Sequence, residues 1–261
     1  MRYLVTGHKG FIGSNLLKKL SGDVTTIEAN IVDEDYCYDY LEDVVKSVDV
    51  IFHIGAISDT TLQDSTEMLR YNYVFSKELF DYAQKYGKKV IYSSSAACYG
   101  DGGGMPLNIY GWSKLMAEQY GMAKCDNFIA LRYFNVYGPG ENHKGKMSSV
   151  ALQSWNGEIN KLFPQKPKRD FVYIDDVVSA NIHAINSPKG VYEVGSGEAR
   201  TFEDVLDNME IKYSYHSEDK IPEWYQFYTK SDKSKWLPEW KPKYNLEKGI
   251  KKYKDYLNEN L

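Results

Sequence analysis

The segment VTGHKGFIGSN, residues 5–15, constrains this chain more than any other. Gly7, Gly10 and Gly13 stand three apart, directly after the apolar run YLVT and at the start of the helical pattern SNLLKKL. Glycines at those positions let a backbone turn tightly out of a strand and approach an anion that the amides of a helix N-terminus then meet. A strand, a glycine turn and a helix in that order open a doubly wound α/β fold, and the anion they suit is the pyrophosphate of a dinucleotide.

The remaining sequence supports that beginning. Short apolar runs alternate with segments of helical period: VTTIEA with EDYCYDYLEDVVKS, VDVIFHIGA with MLRYNYVFSKELFDYAQKYG, and KKVIYSS with IYGWSKLMAEQYGMAK, before the strand FIALRYFNVYG. Such alternation predicts βαβ units and a mostly parallel sheet covered on both faces. The expected class is α/β, a doubly wound parallel sheet of Rossmann type. Residues 1–140 form its dinucleotide-binding domain. Residues 141–261, with the shorter elements GVYEVGSG, TFEDVLDNM and YSYH, form a smaller substrate-binding region interleaved with the sheet. Its many aromatic side chains need burial, which argues against a linker. The closing KGIKKYKDYLNENL predicts an amphipathic helix.

Composition excludes several partners. A net charge of −4 without a basic block gives no footprint for nucleic acid. No apolar run approaches a membrane span, and the N-terminus enters a strand at once, so a cytoplasmic protein is expected. The three cysteines, Cys37, Cys98 and Cys125, lack metal-like spacing and suit a reducing compartment. No metal is predicted.

Glu28 follows the second strand near where an acidic residue binds the adenosine ribose, which favours NAD slightly over NADP. A single strand-helix unit, residues 24–47, separates the glycine turn from VDVIFHIGA, where a full dinucleotide fold has two. The sheet is expected to be short by about one strand unit.

Tyr110 and Lys114 in YGWSK lie four apart at the start of a helical segment, so both project from one face. An ammonium beside a phenol, whose ordinary pKa is about 10, stabilises the phenolate and makes tyrosine a usable base. Ser93, Ser94 and Ser95 end the strand before it, and strand carboxyl ends face the ligand crevice of such a sheet. Base, electrostatic helper, oxygen-binding hydroxyl and redox cofactor together make a hydride-transfer site.

With TGHKGFIGSN, YSSSAACYG, YGWSK and LRYFNVYGPG, the chain resembles the extended short-chain dehydrogenase/reductases of the NAD-dependent epimerase/dehydratase family. Through YNYVFSKELFDYA, PLNIYGWSK, RYFNVYGPGENHKGKMSSVA and KRDFVYIDDV it is most similar to the ADP-L-glycero-D-manno-heptose 6-epimerases. The resemblance implies a nucleotide-sugar epimerase that oxidises one carbon transiently and re-reduces the ketone. Gly7, Gly10, Phe11, Ile12 and Gly13 would hold the pyrophosphate, Asn30 and Ile31 the adenine, and Asn72 a structural or nicotinamide-side contact. Ser95 would bind the reacting oxygen, with Tyr110 and Lys114 as the catalytic pair and cofactor contacts. Asn135, His143, Lys144, Arg169 and Tyr225 would join Ser95 in binding substrate. The loop NVYGPGENHKGKMSS would place Lys144 opposite Tyr110 as a second acid/base. The other reading of this loop has His143, Lys144 and Lys146 bind the substrate's diphosphate.

Departures from the pattern bear on substrate. The segments Gly13 to His53 and Ser95 to Tyr110 are shorter than in that family, and Trp224 replaces an expected arginine. A UDP-hexose 4-epimerase is the alternative. A dehydratase is disfavoured because Ala96 and Ala97 occupy the positions of its usual acid-base pair, and a non-catalytic dinucleotide sensor because YGWSK is retained. His53 and His183 are expected to be packed, and Asp175 and Asp176 to cap a following helix from a strand. Apolar residues on several faces of YNYVFSKELFDYAQKYG and GWSKLMAEQYGMA predict a homodimer.

Overall fold

The computed structural model describes residues 1–27, 37–62, 64–217 and 225–260. The chain runs β1 (Arg2–Thr6), α1 (Phe11–Leu17), β2 (Asp23–Ile27), α2 (Cys37–Ser47), β3 (Val50–His53), α3 (Ser65–Leu69), a π-helical turn (Arg70–Val74), α4 (Phe75–Lys85), β4 (Lys89–Ser95), α5 (Ile109–Lys124) and β5 (Phe128–Tyr133). It continues through β6 (Asn135–Tyr137), α6 (Val150–Trp155), β7 (Lys161–Leu162), β8 (Lys168–Tyr173), α7 (Ile174–Ala184), β9 (Gly190–Val194), β10 (Ala199–Thr201), α8 (Phe202–Met209), β11 (Ser214–Tyr215) and α9 (Leu246–Asn260).

Six parallel strands form the main sheet in the order β2-β1-β3-β4-β5-β9. The order reverses between β1 and β3, so a crevice opens at their carboxyl ends. Among the described residues no strand pairs beyond β2, which is the edge of the sheet they form. Period-two alternation sorts the strand side chains into two cores. Tyr3, Val5, Phe52, Ile91, Ile129 and Leu131 join one, while Leu4, Ile51, Val90, Tyr92 and Ala130 join the other. On the first face α1 packs against α7, and on the second α4 packs against both α2 and α5.

Three local outcomes differ from the sequence pattern. FIALRYFNVYG is two strands. The Phe134 amide donates to the Val194 carbonyl (3.1 Å), and Asn135 then pairs with Phe171 on β8, carrying the chain into a second sheet of order β10-β8-β6. An unbroken apolar run hides this change of sheet. MLRYNYVFSKELFDYAQKYG is interrupted by the π turn, where Asn72 is directed inward. Asp175 and Asp176 lie in the first turn of α7, not on a strand; Asp175 pairs with Lys252, and Asp176 accepts the Lys243 and Tyr244 amides. The GVYEV run, from the C-terminal region, supplies the sixth strand of the main sheet. The C-terminal helix α9 is amphipathic and buries Leu246, Ile250, Tyr253 and Leu257.

Candidate active site

The glycine turn leaves β1 with Gly7 at φ +69°, where a Cβ would collide with the backbone of Gly55 beyond β3. A Cβ on Gly13 would meet the Gly7 carbonyl. The two strand ends at the switch point therefore approach as backbone against backbone. His53 fixes the approach from within: its Nδ1 bonds Thr6 Oγ1 and its Nε2 bonds Ser76 Oγ, both at 2.7 Å. Burial, with the nearby Lys114 charge second, pushes this imidazole down to about 3, so it is a neutral packed histidine as expected. His183 bonds the Pro238 carbonyl from α7.

Gly10 caps α1 without a side chain, and no acidic residue stands in the first turn. No carboxylate from that turn competes for its amides. His8 Nδ1 in the same turn is buried without a hydrogen-bond partner among the described residues. Gly7, Gly10, Phe11, Ile12 and Gly13 all line a cavity of about 830 Å³. Such a cradle fits a dinucleotide pyrophosphate. Glu28, Asn30, Ile31 and Trp224 lie outside the described residues.

Ser95, Tyr110 and Lys114 line the same cavity. Ser95 sits at the carboxyl end of β4, where its hydroxyl accepts the Ala97 amide (3.1 Å) and engages the Tyr110 phenol. Tyr110 and Lys114 follow on the first turns of α5, whose N-cap Asn108 accepts the Gly111 amide. Lys114 is 2% exposed, with its ammonium 4.4 Å from the centre of the Tyr92 ring. The electrostatics differ from the expectation of an ammonium-lowered phenol. Burial pushes Tyr110 up to about 12, against the lowering by Ser95, and pushes Lys114 down to about 7. In a low-dielectric wall, desolvation of each charged form outweighs the opposing causes, the Ser95 hydrogen bond at Tyr110 and the Cys98 and Glu118 charges at Lys114.

A second wall of the cavity is the loop after β6. Asn135, His143 and Lys144 line it. Lys144 is half-buried, its ammonium 5.5 Å from the centre of the Phe11 ring, and burial lowers its pKa while Glu141 opposes that shift. Glu141 is fully buried at the root of the loop. Its carboxylate accepts the Gly138 amide (3.2 Å), the Ser149 amide and hydroxyl (both 2.6 Å) and the Tyr253 hydroxyl (3.0 Å). Lys146 is exposed on the loop.

Two sequence-derived candidates lie elsewhere. Asn72 does not line the cavity. It accepts the Ile57 amide (2.8 Å) and donates to the Ile57 carbonyl and to Ser113 Oγ, which places it as a clamp between the loop after β3 and α5. Arg169, 5% exposed, faces an adjoining cavity of about 220 Å³ and stacks 4.8 Å over the Tyr225 ring. Tyr225 and Asn135 border both cavities.

Sequence reading missed the loop Ile54–Thr60 on the cofactor side and Gln153, Leu162 and Phe163 on the far side. For the first, Gly55 and Ala56 after a strand end were a usable signal. Cavity-lining residues beyond β6 carry no local signature.

The fold is that of a dinucleotide-binding α/β protein, and Ser95, Tyr110 and Lys114 line one cavity with its glycine turn. The chain belongs to the NAD dependent epimerase/dehydratase family, whose match runs over residues 3–195. It is 29% identical to the ADP-L-glycero-D-manno-heptose-6-epimerase of Helicobacter pylori, at a TM-score of 0.81 over 98% of this chain and 96% of that one. A UDP-N-acetylglucosamine 4-epimerase from Methanobrevibacter ruminantium, solved with UDP-N-acetylmuramic acid, is 25% identical at a TM-score of 0.84, with 100% and 99% covered. The UDP-glucose 4-epimerase of Thermotoga maritima, solved with UDP-glucose, shares the fold at a TM-score of 0.85 and 24% identity over 99% of each chain. Among the described residues no helix is long and apolar enough to cross a membrane, and no cluster of three metal-type ligands occurs.

Proposed function

We propose that this chain is a nucleotide-sugar epimerase of the ADP-heptose 6-epimerase kind, acting through transient oxidation with bound NAD or NADP. The observation that carries the reading is the shared cavity, with Ser95, Tyr110 and Lys114 on one wall and the half-buried Lys144 on another. Gly7, Gly10, Phe11, Ile12 and Gly13 would hold a nicotinamide dinucleotide, which would supply the hydride acceptor and donor. Ser95 hydrogen-bonds the reacting oxygen. Tyr110 takes the hydroxyl proton on oxidation and gives one back on reduction. Lys114, protonated, supports the phenolate against the burial that raises its pKa. Where the inverted product would carry its oxygen away from Tyr110, Lys144, whose pKa burial has lowered, would donate the proton to that oxygen in place of Tyr110.

One observation favours the second reading, a UDP-hexose 4-epimerase in which Lys144 binds phosphate. The Lys144 ammonium lies 5.5 Å from the centre of the Phe11 ring, and with His143 on the same cavity wall it would meet the diphosphate of a bound nucleotide sugar. A panel of ADP-, UDP-, GDP- and CDP-sugars, followed by NMR for new epimer signals, separates the readings. With an accepted sugar, Lys144→Met should abolish epimerisation and leave affinity within about tenfold. A hundredfold rise in dissociation constant with turnover intact at saturation would assign Lys144 to phosphate.

The assembly we propose is a homodimer. Val74, Trp112 and Met116 are exposed on the turn before α4 and on the outer face of α5, and a two-fold axis would cover them. A monomeric mass by light scattering at micromolar concentration would contradict it.

A further inference from the structure

Ser95 lies on β4, whereas Tyr110 and Lys114 lie on α5, so the reaction depends on how those two elements are held together. Glu118 is one turn beyond Lys114 on the same helix and is 2% exposed. It accepts the Ser94 hydroxyl at 2.5 Å, from the residue beside Ser95. Its carboxylate also takes both Nε and a terminal amino group of Arg132 on β5, the former at 2.9 Å. Arg132 in turn lies 4.4 Å over the Tyr99 ring, and Tyr99 donates to the buried Glu193 of β9. One side chain thus bonds α5 to the ends of two central strands, immediately behind the cavity.

We propose that Glu118, through Ser94 and Arg132, is a positioning residue that holds Lys114 and Tyr110 against Ser95. The proposal rests on the Ser95, Tyr110 and Lys114 assignment above. A neutral hydrogen-bonding pair could tether the helix equally well, so a carboxylate here is informative. It is buried, and its pairing with Arg132 removes two charges from water, a cost that tethering alone does not require.

The groups facing Lys114 are His53 on β3, Tyr92 on β4, Cys98 after it, and Tyr110 and Glu118 on α5. His53 is held neutral and the Tyr92 proton is retained by burial, so neither of these two supplies an anion to Lys114. Cys98 and Glu118 both favour the ammonium against desolvation. Removing the Glu118 charge should therefore lower the Lys114 titration further. A turnover that needs the ammonium then loses its alkaline limb at a lower pH.

The test uses the whole protein with its dinucleotide and four variants: Glu118→Gln, Ser94→Ala, Tyr110→Phe and, for assignment, Lys114→Met. The ε-ammonium of Lys114 is followed by NMR of lysine-labelled protein, assigned with Lys114→Met, and turnover is measured against pH with whichever nucleotide sugar gives an epimer. For Glu118→Gln we expect the Lys114 titration and the alkaline limb of kcat to move down together by about half to one pH unit. Turnover should fall about tenfold or more, with KM within about threefold. Ser94→Ala, which keeps the charge and loses one tether, should lower kcat with no movement of the limb. If Glu118→Gln fails to fold, an unchanged kcat in Ser94→Ala overturns the proposal and a lowered one supports it. A Glu118→Gln enzyme that melts earlier yet keeps the wild-type Lys114 titration and kcat has lost a structural residue, and the proposal is wrong. Full turnover in Tyr110→Phe would instead strike at the underlying site assignment, which keeps the two failures distinct.

Discussion

The two walls of the cavity are built in opposite ways. The α5 wall is a 16-residue helix whose inner face buries Gly111, Ser113, Lys114, Leu115, Ala117 and Glu118. The loop wall, Asn142–Met147, buries no residue and turns at Gly145 with φ 51°. Its order comes from its root, where Glu141 joins Gly138, Ser149 and Tyr253 of the C-terminal helix. A packed helix fixes reacting groups to the fraction of an ångström that proton transfer needs, whereas a rooted loop varies without disturbing the sheet. For the proposed site the contrast means that the Tyr110 and Lys114 pair would sit on the packed helix, while Lys144, whether proton exchanger or phosphate ligand, would sit on the loop that can vary.

The sharpest way to break the comparison is to remove one oxygen from the rigid wall. Tyr110→Phe should fold and bind dinucleotide normally yet lose about 10²- to 10⁴-fold in turnover, as a general acid-base group does. A loss below tenfold, measured alongside a dinucleotide titration, would remove Tyr110 from the centre of the mechanism. On the loop wall the corresponding experiment is at the root. Glu141→Ala leaves four buried or half-buried donors without their acceptor, and an unmet buried donor costs about 1–3 kcal/mol. With partial relaxation we expect a stability loss of about 3 kcal/mol in urea unfolding, together with a fall in epimerisation and little change in dinucleotide affinity. Equal damage to dinucleotide binding would show that the loop is not an independent wall.

The rigid wall was the more legible in sequence. YGWSK is a spacing within one helix, and α5 runs from Ile109 to Lys124, the very segment whose periodicity marks it. The glycine turn is equally local at Gly10 and Gly13, whose Cβ atoms would crowd the Gly7 carbonyl, whereas Gly7 itself answers the backbone of Gly55 beyond β3. Glu118 and Arg132 were not legible as partners, because their meeting depends on α5 lying across β5. The same holds for Glu141 and Tyr253, which are 112 residues apart. Arg169 shows a finer limit: strand periodicity places it on β8, but which of two adjoining cavities it borders depends on how the second sheet meets the first. The directions of the Tyr110 and Lys114 shifts also escaped, since a spacing of four gives proximity and says nothing of how far burial desolvates each group.

That desolvation supplies the smallest and most specific prediction. Lys114 is brought from an ordinary value of 10.5 down to about 7 by burial, so its folded pKa lies below its unfolded one. Between those values the unfolded chain binds more protons than the native protein, and stability must rise with pH across the interval. At pH 7 the native state carries nearly the whole penalty for this lysine. Lys114→Met keeps the length of the side chain and removes the ionisable group, and without added dinucleotide it should gain about 1–4 kcal/mol in unfolding stability at pH 7. The gain should shrink as the pH approaches the unfolded value, while turnover is lost at every pH. A gain that did not vary with pH would trace to packing alone. A net loss of stability would mean that the Tyr92 ring and the Glu118 charge hold the ammonium better than burial opposes it. The same substitution at Lys144 should give a smaller gain, because that lysine is half-buried on the loop, and the difference between the two variants measures how much charge each wall has taken out of water.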